Sequence, residues 1–172
     1  LHACFNFEVM EARRDPQVLM RRIQDWERAL GGGTWPNYVL NNHDTKRYAT
    51  RYGQGEDDER MKVMAAMLLT LRGTPFLYYG EEIGMRDIRV RRRDILDPIG
   101  KRYWPFFAGR DGCRSPMQWS ADRQAGFTDG QPWLPVHPNA KTRSVEAQLR
   151  DADSLLNFYR RLLAFRRAEP AL

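Results

Sequence analysis

Short apolar segments alternate with helical patterns in the first 80 residues, and this alternation is the strongest constraint on the fold. The apolar segments are residues 4–7, 38–40 and 76–79. Between them, apolar residues recur at the spacing of an amphipathic helix. This order predicts an α/β fold with parallel strands joined by crossover helices, and strands that are apolar throughout are typical of a buried parallel sheet.

Capping residues predict where the helices begin and end. Asp15 followed by Pro16 predicts the start of the first helix, and the glycines at 31–33 predict its end. A final amphipathic pattern covers residues 153–168, with Asp153 or Ser154 as its cap, and is expected to stop before Pro170. The chain therefore divides into a βαβαβ unit at 1–80, a long loop-rich segment at 81–152 and a closing helix.

The segment 81–152 is rich in Gly, Pro, Arg and aromatic residues and has no clear periodicity. Loops of this length are uncommon and usually functional. Seven aromatic residues in it could stack on sugar rings, but a small local core is the favoured interpretation for each. They are Tyr103, Trp104, Phe106, Phe107, Trp119, Phe127 and Trp133.

The composition is that of a globular domain. The chain has 172 residues, of which 42% are hydrophobic and 29% charged, which excludes collagen-like, low-complexity and disulfide-scaffold sequences. No apolar run approaches the roughly 20 residues that a membrane span needs. Cys4 and Cys113 lie in no metal-binding pattern, and neither do His2 and His137, so we expect no metal site here. We also expect a cytoplasmic location. A single long-range disulfide between the two cysteines stays open as an alternative.

The arginine-rich run at 89–93 and the net charge of +6 would suit a nucleic-acid surface. Asp87, Asp94 and Asp97 flank the run, and no recognition element accompanies it. An ion-paired or solvated loop is the favoured interpretation, and we expect neither nucleic acid nor a membrane as a partner.

Polar residues follow the second predicted strand, where parallel α/β folds place their sites. His43 and Asp44, with Arg47 three residues further on, offer a donor, an acceptor and a cation that could hold sugar hydroxyls. The alternative is an Asx-rich turn or helix cap. Arg110 and Arg114 in the long segment could also reach a substrate.

Glu81 and Glu82 follow the third predicted strand. Paired carboxylates can perform acid/base chemistry, but adjacent residues on an extended segment point in opposite directions. A first-turn acidic pair, or an ion pair with Arg86, is therefore favoured for them.

Several of these motifs resemble one family. Residues 38–47, which contain Asn-His-Asp, resemble barrel strand seven of the α-amylase superfamily (glycoside hydrolase family 13), and residues 73–85 resemble its strand eight. Residues 109–119 resemble the Arg-Asp-x-x-Arg-x-Pro-Met-Gln-Trp segment of its α-glucosidase and oligo-1,6-glucosidase branch. The final helix resembles the one that closes that barrel.

This resemblance implies a partial (β/α)8 TIM barrel, about strands six to eight, from a retaining glycosidase that acts on short α-linked gluco-oligosaccharides. Asp44 matches the carboxylate that stabilises the transition state, and His43, Arg47 and Arg114 match substrate-binding positions. No organic cofactor is implied. Calcium could accompany the parent enzyme, but no ligand set for it is readable here.

No segment resembles the family's nucleophile on strand four or its acid/base on strand five. We therefore expect the C-terminal part of a catalytic barrel that is inactive alone and that could self-associate through exposed barrel edges. Two alternatives stay open: a trehalose- or sucrose-converting relative, and a non-catalytic sugar-binding or interaction module derived from the same barrel.

Overall fold

A parallel three-stranded sheet lies at the centre of the fold. The computed structural model describes residues 5–12, 15–31, 33–53 and 58–170. The strands are β1 (Phe5–Asn6), β2 (Asn37–Val39) and β3 (Thr74–Phe76). They are ordered β1-β2-β3, with Phe5 opposite Asn37 and Tyr38 opposite Pro75. The predicted α/β fold with parallel strands is confirmed.

Helices connect and cover these strands. In the described residues they are α1 (Phe7–Glu11), α2 (Pro16–Leu30), α3 (Tyr48–Tyr52), α4 (Glu59–Thr70), α5 (Pro98–Tyr103), α6 (Val145–Leu149) and α7 (Leu155–Ala168). Short 3₁₀ turns lie at Arg92–Asp94, Asp111–Arg114, Arg123–Gly126 and Pro138–Lys141. None of the described helices is long and apolar enough to span a membrane.

The capping predictions hold where the structure tests them. The Asp15 carboxylate accepts hydrogen bonds from the backbone N–H groups of Gln17 and Val18. Helix α2 ends at Gly31, whose φ of +66° favours glycine. Ser154 caps α7 by accepting from the backbone of Asn157, and the helix ends before Pro170.

Three boundary predictions are wrong. Phe7 belongs to helix α1 rather than to the first strand, because the side chain of Asn6 accepts the Val9 N–H at 3.0 Å and starts a helix there. Strand β3 ends at Phe76, and residues 78–85 form turns closed by backbone hydrogen bonds such as Met85 N–H to Gly80 O. Helix α3 lies in the segment between the polar turn and the second helix, which its glycines at 53 and 55 predict to be a loop.

The main core lies between the sheet and helices α2, α4 and α7. It contains Tyr38 of β2 and Leu40 just after that strand, Leu68 and Leu69 of α4, and Tyr159 of α7, all nearly inaccessible to solvent. Burying these side chains removes apolar area from water, which is the main favourable contribution to folding. The second predicted helix, α4, therefore presents its apolar side to the core as expected.

The prediction that every strand is buried on both faces is wrong for the outer strands. Phe5 in β1 is 40% exposed and Phe76 in β3 is 41% exposed, and their rings pack edge to face at 4.6 Å between centroids. Among the described residues, β1 and β3 each pair only with β2. Self-association through these edges stays a prediction.

The segment 81–152 has its own small core. Ile83, Met85 and Met117 pack there with Leu156 of α7, and Phe127 is partly buried against them. The expected core role is wrong for most of the other aromatic residues of this segment. Those at least 47% exposed are Tyr103, Phe106, Phe107, Trp119 and Trp133. Aliphatic side chains fill the local core instead, which leaves these rings at the surface.

The backbone conformation of Gly73, directly before β3, predicts how much stability a side chain at this position would cost. Its φ is +119°, and a Cβ there would overlap the carbonyl oxygen of Pro36, which accepts the N–H of Thr74 at 2.9 Å. We expect Gly73→Ala to lower the free energy of unfolding by about 3 kcal/mol in urea titrations, because backbone strain and the clash add. Gly31→Ala, where a Cβ meets nothing within 4 Å, should cost about 1 kcal/mol. Equal losses for the two variants would contradict this account.

Candidate functional site

A turn directly after β2 places His43 and Asp44 at the carboxyl edge of the sheet. The side-chain oxygen of Asn42 accepts hydrogen bonds from the Asp44 N–H at 2.8 Å and from the Thr45 hydroxyl at 3.3 Å. This is an Asx turn. The alternative interpretation of these residues as an Asx-rich turn is therefore also correct, and the turn lies at the same residues as the candidate site. Both His43 and Asp44 remain exposed above it.

The Asp44 carboxylate is held by two arginines. Its Oδ1 accepts from Arg110 Nη1 and from Arg114 Nη2, each at 2.9 Å. Its Oδ2 lies 3.5 Å from His43 Nε2, and Arg114 Nε also donates to the His43 carbonyl at 2.8 Å. The structure thus brings three of the four predicted site residues together around a carboxylate that is 46% exposed.

Arg110, which the sequence interpretation named as able to reach a substrate but to which the resemblance gave no role, is the fourth member of this group. It links Asp44 to Asp97, a fully buried carboxylate whose Oδ2 accepts from Arg110 N–H at 2.8 Å and from Arg110 Nε at 2.9 Å. This bonding holds the pKa of Asp97 well below its ordinary range and raises the pKa of Arg110. The sequence feature that could have indicated this role is the position of Arg110 four residues before Arg114 in the same motif.

Further hydrogen bonds fix this part of the long segment. The Asp111 carboxylate accepts from the backbone N–H groups of Leu96 at 2.6 Å and Asp97 at 2.9 Å. Gly109 has a φ of +81° and packs against Asp97. The chain is therefore held in place on both sides of Arg110, and its side chain approaches Asp44 from this fixed segment.

Arg47, the fourth predicted residue, lies beneath the site and is 1% exposed. Its guanidinium donates to the Tyr79 carbonyl at 2.7 Å and lies 4.9 Å and 4.7 Å from the ring centroids of Tyr78 and Tyr79. Its backbone N–H donates to Asp87 at 2.9 Å. The arrangement supports the loops around Asp44 rather than offering Arg47 to a ligand.

Glu81 forms a buried network below the same turn. Its carboxylate accepts from Asn41 Nδ2 at 2.5 Å and from the Tyr159 hydroxyl at 3.2 Å, while Asn41 Oδ1 accepts the Tyr48 N–H at 3.1 Å. Burial raises the pKa of Glu81 to about 7, and these hydrogen bonds offset part of the effect. The Asn41 side chain is therefore oriented by a carboxyl group that titrates near neutrality.

The predicted ion pair between the glutamates and Arg86 is absent among the described residues. Arg86 Nη1 donates instead to the carbonyl of Ala49 in α3 at 2.8 Å. Burial also raises the pKa of Glu82. The sequence did not indicate α3, and that helix supplies the acceptor that draws Arg86 away.

A cleft of about 880 Å³ opens beside Asp44. Residues 87–92 line it, together with Trp104 and Phe107. Cys113 lines it as well, and its thiol donates to the His43 carbonyl at 3.3 Å, while burial raises the pKa of the thiol to about 11. The cleft gives a ligand at Asp44 room to extend along the long segment.

No three His, Cys, Asp or Glu side chains in the described part of the chain are placed to hold a metal ion. Calcium in a parent enzyme stays a prediction. Cys113 is a free thiol. Cys4 and His2 lie outside the described residues, so the structure does not test a disulfide that involves Cys4. His137 starts a 3₁₀ turn, where its ring accepts the Asn139 N–H.

Comparison with known proteins gives one consistent family. Residues 4–172 match the profile described as "Alpha amylase, catalytic domain". A "Probable alpha-glucosidase" of Rhizobium meliloti (strain 1021) is 39% identical over 175 residues, covering 100% of this chain and 32% of that protein. An "Oligo-1,6-glucosidase" of Parageobacillus thermoglucosidasius is 37% identical over 201 residues, covering 97% of this chain and 35% of that protein.

Solved structures agree. The crystal structure of the alpha-glucosyl transfer enzyme XgtA superposes with a TM-score of 0.92 at 37% identity, covering 100% of this chain and 32% of that one. The chain thus spans about a third of the length of the relatives it matches. The two protein relatives are named for the two activities of the branch that residues 109–119 resemble.

Proposed function

Because this chain belongs to the alpha-amylase catalytic-domain family, whose fold is a (β/α)8 barrel, we propose that it forms the sugar-binding part of a retaining α-glucosidase-type glycoside hydrolase. Its substrates are short α-linked gluco-oligosaccharides. The observation that carries this proposal is the half-exposed Asp44 carboxylate, fixed by Arg110 and Arg114 at the end of β2.

Asp44 is the transition-state stabiliser in this proposal. Glycoside cleavage passes through an oxocarbenium-like state, in which the sugar ring gains positive charge. An ionised carboxylate beside that ring favours the transition state over the neutral ground state. The two arginines on Oδ1 fix the position of the Asp44 carboxylate and leave its Oδ2 beside His43.

The neighbouring groups divide between binding and support. The His43 ring is exposed beside Asp44 and can donate to sugar hydroxyls, and Arg114 can do so while it holds the His43 carbonyl. Arg47 acts from below through Tyr79. In this proposal His43 and Arg114 therefore contact the substrate directly, whereas Arg47 acts on the site indirectly.

The nucleophile and the acid/base are, in this proposal, supplied by barrel strands four and five, and the three strands described here correspond to about strands six to eight. Neither of those two motifs occurs in residues 1–172. We therefore propose that these residues alone do not hydrolyse glycosides. No organic cofactor is needed, because carboxylates suffice for this chemistry.

The experiment expresses the longest polypeptide that the gene encodes, alongside the 172-residue chain as control. We expect the longer protein to release glucose from maltose or isomaltose, with the α-anomer appearing first in proton NMR spectra, and the short chain to release none. First appearance of the β-anomer would contradict the retaining mechanism. Absence of hydrolysis by the longer protein would favour the non-catalytic sugar-binding or interaction module, and isomerisation of sucrose or maltose would favour the sucrose- or trehalose-converting relative.

A further inference from the structure

The cleft beside Asp44 has a strongly positive lining that the proposed glucosyl site does not use. Four cations line it apart from the arginine on Asp44, namely Lys46, Arg89, Arg91 and Arg92. All four are exposed. Three of them belong to the arginine-rich run at 89–93, for which the sequence favoured an ion-paired or solvated loop.

The carboxylates near the cleft leave most of this charge uncompensated. Asp44 is already bound by two guanidinium groups. Asp87, which also lines the cleft, accepts the Arg47 N–H at 2.9 Å and interacts electrostatically with Lys46, and burial raises the pKa of its carboxyl group. Asp94 pairs with Arg91 at 2.8 Å and with Arg93 at 3.7 Å.

Within the described residues, no carboxylate lies within ion-pair distance of Lys46, Arg89 or Arg92. Cations gathered around a concave surface focus the potential and raise the local concentration of anions. Guanidinium groups suit carboxylate and phosphate oxygens because they can donate two parallel hydrogen bonds. The charge therefore favours a ligand with an anionic group.

Two aromatic rings also line the cleft. Trp104 is partly exposed and Phe107 is 47% exposed. Aromatic rings of this kind pack against sugar or aromatic rings. A ligand with a ring and an anionic substituent matches both the aromatic and the cationic lining, whereas the Asp44 carboxylate disfavours an extended polyanion.

We propose that this cleft binds the aglycone, the group linked to the glucosyl unit, and that it selects an aglycone carrying a carboxylate or phosphate. The inference rests on the proposed function, because it takes Asp44 as the residue that holds the glucosyl unit. Arg89 and Arg92 are the specificity-determining residues, since neither is paired with a described carboxylate.

The test measures binding to the 172-residue chain by calorimetry with two matched ligand pairs. 4-Carboxyphenyl α-glucoside is compared with the neutral 4-carbamoylphenyl α-glucoside, and glucose 6-phosphate with glucose. We expect at least one anion to bind about tenfold more tightly than its neutral partner, with the difference shrinking as salt is added. The pair that shows the larger ratio identifies the carboxylate or the phosphate as the preferred group.

The variant Arg89→Gln/Arg92→Gln should reduce that preference to within about twofold. Arg160→Gln/Arg167→Gln, which removes two exposed charges from α7, should leave it unchanged. Equal binding within both pairs, no binding of any ligand at millimolar concentration, or a preference that survives the first double variant would overturn the proposal. Tighter binding of a DNA oligonucleotide than of either small anion would overturn it as well.

These outcomes are separable from failure of the proposed function. Selectivity for the anion is measured on the short chain without any catalysis. Hydrolysis and the anomer released are measured on the longer polypeptide. A protein that hydrolyses maltose but shows no anion preference refutes only the cleft assignment.

Discussion

Asp44→Asn in the longest polypeptide that the gene encodes should lower kcat by on the order of 10³. The amide keeps the size of the carboxylate and an oxygen that can accept from Arg110 and Arg114. It removes the negative charge that the proposal places beside the oxocarbenium-like ring. Steady-state hydrolysis of maltose measures the effect, and KM should change much less than kcat because the charge acts mainly in the transition state.

The matched control for this substitution is Asp129→Asn, which removes an exposed carboxylate elsewhere in the long segment. Its kcat should equal that of the unmodified enzyme. Circular dichroism spectra of both variants should overlay those of the unmodified protein, because Asp44 is not part of the core. A kcat for Asp44→Asn within about twofold of the unmodified value would refute the role given to this residue.

Glu81→Gln should raise stability at alkaline pH and remove a pH dependence. Burial lifts the pKa of Glu81 from its ordinary 4.5 to about 7, so the folded state binds this proton more tightly than the unfolded state. The contribution of Glu81 to the stability of the unmodified chain is then largest below about pH 4.5 and falls as pH rises to 7. Beyond pH 7 the loss is complete, at about 3 kcal/mol.

Glutamine can keep the same contacts without the charge. Its Oε1 can accept from Asn41, and its Nε2 can donate to the Tyr159 oxygen while that hydroxyl donates to Tyr48 at 3.4 Å. Urea titrations at pH 5, 6, 7 and 8 should therefore show the variant gaining up to about 3 kcal/mol at pH 8 and little at pH 5.

Glu11→Gln serves as the reference for that measurement, because Glu11 is exposed in α1. It should shift the curve of stability against pH by less than about 0.5 kcal/mol at any pH. A Glu81→Gln variant that is less stable than the unmodified chain at pH 8 would mean that the hydrogen bonds of the charged form outweigh the cost of burying it.

Local signals predicted the framework well. Asp15, Pro16 and Ser154 mark helix starts that the structure reproduces, because capping depends on a few neighbouring residues. Boundaries decided by contacts across the fold were missed. Helix α1 follows from the Asn6 cap, and β3 ends at Phe76 because the next residues turn through hydrogen bonds to Gly80 and Tyr78.

The candidate site shows the same division. The motif at 41–44 and Arg114 were identified from their order along the chain, and they meet in space. Arg47 belongs to the same motif but is buried under Tyr79. Whether a cation next to a motif faces a ligand or the protein interior depends on what packs over it, and one-dimensional patterns do not contain that information.

The sequence by itself determined the parallel βαβαβ order, the helix caps and the polar turn that carries His43 and Asp44, because these follow from periodicity and from neighbours a few residues apart. Only the tertiary structure decided that Arg110 joins Asp44 to Asp97 and that Glu81 is sealed below the turn. Arg110 and Asp44 are 66 positions apart. Contacts over such distances arise when packing selects one arrangement of the long segment, and burial then sets the charge of the groups it encloses.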